Sequence, residues 1–429
     1  MHRQKILKTM CLKSQGLKQA FSGLHWTETL EIVTLTLMLS MIPFHTGISL
    51  FFTYCWFLSV VLKNSILKRW SVFSWHQDKS YPYNQNAYML IPMLVYWLAY
   101  LISMLWTENR AAGWTEIEQN AWFFAIPVTC LCTDFRQISK KCLRAMLWVF
   151  VITLTLLFFY LLAKSIIVTQ QSSSGYLTSG LKVFYDYIHH TYGSLYIVSV
   201  LAFLYTELVG EEKLGRGMLV LLALCACFLV VFLLFLNSRA GILSFILLSI
   251  LCCLHTCFIR KKQRQGIISL VVVLTLLTVA YNALPEEFHR LSRTSSEIAN
   301  GDMSDSRFQI MQSAWTVIKE HPLTGVGAGD RMDVLLPFYD TPKDVLCPHN
   351  QFLDTWLATG IFGLLTLCLM LAWPIQAAVK KKQVLPVLIN VALLVCLLVE
   401  SMFERQMGVS FTAVIYVYYT IILIKNNNI

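Results

Sequence analysis

Charge is scarce in this sequence. Asp, Glu, Lys and Arg make up 14% of its 429 residues, against 56% hydrophobic residues, whereas an ordinary soluble domain is about 25% charged. So few charges do not cover the surface of a soluble protein of this length, and most of the apolar surface must face lipid. The same composition excludes a collagen-like or disordered chain. Cysteine is not lacking, with 13 residues, but only Cys347 lies in the long polar loop, so no disulfide framework forms there within one chain. Cys130 and Cys132 make a C-x-C with no second ligand pair nearby, which argues against a zinc site. The net charge of +10 is spread over short loops between apolar spans, which is not the footprint of a nucleic-acid surface.

What is present is a series of long apolar runs. A helix needs about 20 apolar residues to cross the hydrocarbon, and by that measure twelve spans are expected, near 28–45, 48–66, 87–106, 119–133, 145–166, 191–209, 217–237, 239–258, 266–284, 350–378, 384–400 and 408–424. The runs are continuous rather than alternating, so they read as helices and not barrel strands. With the amino terminus in the cytoplasm, 23 of the 34 Lys and Arg residues fall on the inner side, including the clusters Lys140-Lys141, Arg260-Lys261-Lys262 and Lys380-Lys381-Lys382. That is a positive-inside bias. The expected fold is therefore all-α and polytopic, with about twelve transmembrane helices and one large outer loop containing helices. Residues 1–27 form a basic cytoplasmic tail, 28–284 hold the first nine spans, 285–349 the loop domain, 350–424 the last three spans, and 425–429 a cytoplasmic tail.

Two outer segments stand apart: 167–190, rich in Ser, Gly and Tyr, and 285–349, which holds six basic and ten acidic side chains. Within the latter, Phe308, Met311, Trp315 and Ile318 recur at helical spacing from Ser306 to Lys319, and Pro322 ends the run. GVGAGD follows as flexible turn sequence. It is no phosphate loop, because no strand precedes it and no GK[ST] follows.

Few residues are placed to do chemistry. Asn237-Ser238-Arg239-Ala240-Gly241 interrupts an otherwise apolar stretch and reads as a tight outer hairpin, with Gly241 easing the turn. An Arg at the bilayer centre costs about 2.5–3.5 kcal/mol, and much less near the headgroups. Two readings fit Arg239: a side chain snorkelling to lipid phosphates, or a permanently charged fork at the depth of a lipid-linked diphosphate. Arg307 stands in the first turn of the loop helix, where the helix dipole disfavours a cation, so an anion partner explains it better than solvent does. His349 sits where the long loop re-enters the membrane. An isolated loop His is ordinarily just solvated, but a neutral imidazole can also accept a proton or bond a sugar hydroxyl. His189-His190 is a possible metal pair lacking a third ligand in the nearby sequence, and packing or hydrogen bonding fits it better. No DxD pair occurs in the outer loops, and Asp330 with Asp333 is a weak substitute.

Taken together these stretches resemble the O-antigen ligases of Gram-negative bacteria, within the O-antigen ligase/polymerase superfamily. His349-Asn350, nine residues and then Gly360, with Gly363 beyond, resembles the family's His-[Asn/Ser/Gln]-x9-Gly pattern. NSRAG with Arg239 resembles its outer-facing Arg at a helix turn, and DSRFQIMQSAW with HPLTGVGAG resembles its loop helix, Arg307 being the second Arg. HHTYGSLY, with His190 and Tyr192, resembles a further motif before an upstream span.

The resemblance implies an inverting, metal-independent membrane glycosyltransferase needing no cofactor, in the bacterial inner membrane with its active site facing the periplasm. The donor would be a polysaccharide on undecaprenyl diphosphate and the acceptor a sugar hydroxyl of lipid A-core; no nucleic acid is involved. His349 would be catalytic, Arg239 and Arg307 would bind the diphosphate, and Asn350, Gly360, His190 and Tyr192 would support them. A polymerase or a protein O-oligosaccharyltransferase of the same superfamily is the nearest alternative. A lipid-linked glycan transporter would need charged residues lining a path inside the spans, yet most ionisable residues lie at span ends or in loops.

Overall fold

The computed structural model describes residues 24–67, 88–133, 135, 137–171, 183–184, 186–210, 214–283, 306–338 and 347–424. Among these residues no strand occurs. The chain runs through α1 (Trp26–Met41), α2 (Thr46–Ile66), α3 (Ile91–Ser103), α4 (Arg110–Gln119), α5 (Trp122–Leu131), α6 (Lys140–Gln171), α7 (His190–Val209), α8 (Arg216–Phe235), α9 (Arg239–Leu254), α10 (Gln263–Ala283), α11 (Ser306–Glu320), α12 (Gln351–Lys380), α13 (Val384–Val399) and α14 (Gln406–Ile424).

Each of the twelve expected spans contains a helix, but their lengths differ from expectation. Among the described residues seven helices are long and apolar enough to cross a membrane: α2, α6, α7, α8, α9 with the π-turn that extends it to Ile259, α12 and α14. Three shorter apolar helices are α3, α10 and α13. The span expected at 119–133 is only the ten residues of α5, which contains Pro127. The polar α4 precedes it, and no span was expected there.

α14 forms the centre of the bundle. Its tyrosines Tyr416, Tyr418 and Tyr419 are fully buried, and Tyr416 donates to both Asn390 Oδ1 and Met370 O at 2.9 Å. The Tyr416 hydroxyl is thereby satisfied in a place that water does not reach, and Tyr418 donates to Leu35 O at 3.4 Å. α8 is the opposite case, with Leu219, Val220, Leu221 and Leu224 all exposed, as a lipid-facing helix would be. An ion pair not foreseen joins α1 to α2, Lys63 Nζ to Glu31 Oε2 at 2.6 Å, with both side chains buried.

α12 is broken at Gly360, whose φ of +69° and ψ of −165° are not helical. The break frees backbone groups that the segment after α11 occupies. Val326 N donates to Leu357 O at 2.8 Å, Gly327 N to Ala358 O at 3.1 Å, and Ile361 N to Pro322 O at 3.1 Å. A Cβ at Gly360 would fall 2.0 Å from Leu323 O, so glycine is required here both for its dihedrals and for the close approach. The GVGAGD stretch is accordingly not a flexible turn but a pinned insert, with Gly325 and Gly327 at φ of +67° and +112°.

The loop helix α11 spans the expected residues with a rotated face. Ile310, Ala314, Val317 and Ile318 are buried, the last three in a small separate core with Leu335 and Leu357. Phe308 and Trp315 are exposed, although Trp315 stacks edge-on to Trp356. Of the expected stripe, Ile318 is buried and Met311 half-buried, so the face is only partly turned.

Candidate functional site

α7, α9 and α13 pack on one another, and the amino-terminal ends of α7 and α9 meet the carboxy-terminal end of α13. A small, partly open pocket lies where they meet, lined by His190, Thr191, Asn237, Arg239, Val399 and Glu400 among others. Local sequence explains each placement. Asn237 takes a left-handed φ of +45°, a conformation Asn tolerates better than most residues. Ser238 caps α9, its hydroxyl accepting from Gly241 N at 3.1 Å. Arg239 is thus the first helical residue and is held at the pocket wall. Gly241 does not make the turn: it is buried inside α9, and a Cβ there would lie 2.4 Å from Ser194. Its role is to let α7 and α9 approach closely enough to close the pocket.

His349 reaches the same place from the other direction. Its Nδ1 lies 2.7 Å from Glu400 Oε1, with side-chain exposures of 14% and 9%. An ionised carboxylate can only accept, so in a bond to it Nδ1 carries the proton and Nε2 is the ring nitrogen left to meet a substrate. His349 has a φ of +49°. A non-glycine residue in that region costs about 1–3 kcal/mol and persists only when its surroundings hold it. Asn350 supplies part of that hold. Its Oδ1 caps α12 by accepting from Phe352 N and Leu353 N at 2.9 and 3.2 Å, and its Nδ2 donates to Leu398 O at 3.2 Å. Asn350 thereby ties the start of α12 to the end of α13, and His349 to Glu400.

The other sequence-predicted residues divide. His190 lines the pocket. Tyr192 is buried and donates to Met402 O at 3.1 Å, so it braces the turn after Glu400 and stands behind the pocket wall. Gly360 shapes α12, two turns and more from His349. Arg307 falls in the first turn of α11, but its side chain lies outside the described residues, as do half of 167–190 and much of 285–346. Asp330 and Asp333 are not arranged for a metal: Asp330 accepts from Glu108 N and Asn109 N at 2.8 and 2.7 Å, and Asp333 from Asn109 Nδ2 at 2.8 Å. They fix the α3–α4 connection.

Two features escaped the sequence reading. Glu400 is the hub of the site, and its only sequence signal is a lone carboxylate ending the apolar run of α13. Around it, the ligand atoms of His189, His190 and Glu400 lie within 4.8 Å of one another, and so do those of Cys347, His349 and Glu400. Burial pushes the Cys347 thiol up to about 12, which keeps it protonated and unreactive at neutral pH. The second feature is Arg331, buried, which reaches Asp354 Oδ1 and Glu116 Oε1 at 2.6 Å and Glu404 Oε2 at 2.7 Å. Asp354 lies five residues after His349 and Glu404 four after Glu400, so one guanidinium anchors the segments behind both members of the His–Glu pair.

No curated protein matches the chain. A family model described as O-antigen ligase matches residues 219–368. That segment covers about a third of the chain and contains Arg239, Arg307, His349, Asn350 and Gly360, while His190 and Glu400 come from outside it. Over these residues the chain is similar to the O-antigen ligase family, and the match supports that reading of the segment that holds Arg239 and His349.

Proposed function

We propose that this protein is an inverting O-antigen ligase, transferring polysaccharide from undecaprenyl diphosphate to a sugar hydroxyl of lipid A-core at the periplasmic face of the inner membrane. The family supports membrane glycosyltransferase chemistry on lipid-linked glycans in general. The observation that carries the finer reading is the His349–Glu400 pair at 2.7 Å, whose carboxylate lines one pocket with Arg239 and His190.

In this reading the acceptor hydroxyl gives its proton to His349 Nε2 as its oxygen bonds the anomeric carbon. The bond from that carbon to the diphosphate oxygen breaks on the opposite face, and the diphosphate leaves with the electron pair. Glu400 keeps the imidazole in the basic tautomer and stabilises the imidazolium that forms. Arg239, with Arg307 as the second cation, offsets the charge growing on the leaving diphosphate. Both substrates are lipid-anchored, so the membrane confines them and the site has mainly to align two headgroups. Residues 285–349 then face the periplasm, and both termini the cytoplasm.

The test is lipopolysaccharide extracted from a deletion strain restored with wild type or His349→Ala. Wild type should restore long-chain caps on core. His349→Ala should leave bare core at normal membrane levels of protein, a loss of about 10²–10⁴-fold. Core capped with single repeats in the deletion strain would instead indicate a polymerase, and full activity of His349→Ala would remove that residue from the mechanism.

A further inference from the structure

The His189-His190 pair lacks a third ligand in the nearby sequence, and the fold supplies one. His189 caps α7, His190 begins it, and Glu400 follows α13; the three ligand atoms lie within 4.8 Å of one another. Around a tetrahedral ion with bonds of about 2.0–2.1 Å, ligand atoms stand roughly 3.3–3.4 Å apart, so modest side-chain movement completes the site. Two imidazoles and one carboxylate form a borderline donor set. It suits Zn²⁺ or Co²⁺, while Mg²⁺ and Ca²⁺ prefer oxygen ligands throughout.

We propose that a divalent ion of the zinc class binds His189, His190 and Glu400 and, by taking up the charge that Glu400 presents to His349, switches the site off. Glu400 has two carboxylate oxygens, one of them 2.7 Å from His349 Nδ1; whichever takes the ion, the carboxylate shares its charge with the metal and stabilises a His349 imidazolium less. Metal binding stands apart from the proposed glycosyl transfer, and only the inhibition rests on it. The Cys347–His349–Glu400 triad shares Glu400, but its thiol must first lose a proton, whereas neutral imidazoles are ready ligands at neutral pH. Arg239 lines the same pocket and opposes a cation there. Affinity is therefore lower than in a cation-free site of the same ligands, which suits a reversible inhibitor and not a resident ion.

The experiment uses full-length protein without a polyhistidine tag, in nanodiscs. Its background carries Cys253→Ser and Cys257→Ser, because those two sulfurs lie 3.8 Å apart and could take an ion themselves. Titration with Co²⁺, followed by visible absorption, and with Zn²⁺, followed by calorimetry, should give one ion per chain and tetrahedral cobalt bands with no thiolate charge transfer. His189→Ala and His190→Ala should each weaken binding by about ten-fold or more, and Cys347→Ser should bind as its parent does. Absence of stoichiometric binding, a thiolate band, or loss of binding in Cys347→Ser would overturn the assignment. In a transfer assay zinc should inhibit the parent and EDTA restore it, and His189→Ala, measured against its own metal-free rate, should need at least about ten-fold more zinc. Zinc bound to the parent without slowing transfer overturns the switch. Zinc bound by a chain that transfers no glycan even without metal removes the proposed function and leaves the metal site standing.

Discussion

Arg331 and Arg239 are both guanidinium groups beside carboxylates near the start of α12, yet they sit in opposite surroundings. Arg331 is buried, with three carboxylates at 2.6–2.7 Å that occupy its fork. Arg239 heads a helix at the wall of a pocket shared with His190 and Glu400. The first arrangement leaves no room for a ligand and serves as an anchor between the insert, α4, α12 and the turn after α13. The second keeps cation, imidazole and carboxylate around a space that a headgroup can approach. Charge alone therefore does not identify a binding residue; what matters is whether it borders a space that a ligand can enter.

That contrast predicts which variants unfold the protein and which only silence it. Arg331→Met should have the largest effect, because it leaves the buried Asp354 and the part-buried Glu116 and Glu404 without their cation. Breaking a buried ion pair costs about 3–5 kcal/mol, readable as a lower unfolding midpoint in detergent, and an unchanged midpoint would dissolve the distinction. Arg239→Ala should instead unfold like wild type while transfer falls by about 10²–10³-fold. Arg239→Lys should remain poor, since an ammonium does not reproduce the bidentate fork. If the Arg239 variants lose stability as Arg331→Met does, both residues are anchors.

Glu400→Gln sharpens the comparison from the side of the imidazole. A charged hydrogen bond contributes about 1.5–3 kcal/mol, so transfer should slow by roughly ten- to a hundred-fold, with the pH profile of the rate displaced; a rate equal to wild type would sever Glu400 from His349. The smallest effect concerns Glu116, whose carboxyl burial raises above its ordinary 4.5, against the lowering pull of Arg331. A raised folded-state value means that its contribution is complete below pH 4.5 and is lost as pH rises through the raised value. The unfolding midpoint of wild type should thus fall relative to Glu116→Gln as pH is raised above 4.5, and parallel profiles for the two proteins would refute the assignment.

The all-helical character was legible because continuous apolar runs have few other solutions in lipid. Arg239 and His349 were legible because each interrupts or borders such a run, where a charge or an imidazole is costly enough to need a reason. Glu400 was not: a single carboxylate at a helix end looks the same whether it meets solvent or a histidine fifty-one residues earlier. Arg331 was hidden among the other charges of the acidic loop, and its three partners come from elements far apart in sequence. The role of Gly241 was misjudged because its neighbour is Ser194, which local sequence cannot name.

By itself, then, the sequence determined where the chain is apolar enough to leave water, and which few polar groups that environment makes expensive. Tertiary structure decided which apolar helices form the core and which face lipid, since α14 and α8 are both apolar throughout and only packing separates them. It also decided which charges cancel one another and which remain beside a pocket. The physical reason is common to both: hydrophobicity is a property of each residue, whereas burial, register and pairing belong to residues brought together from distant parts of the chain.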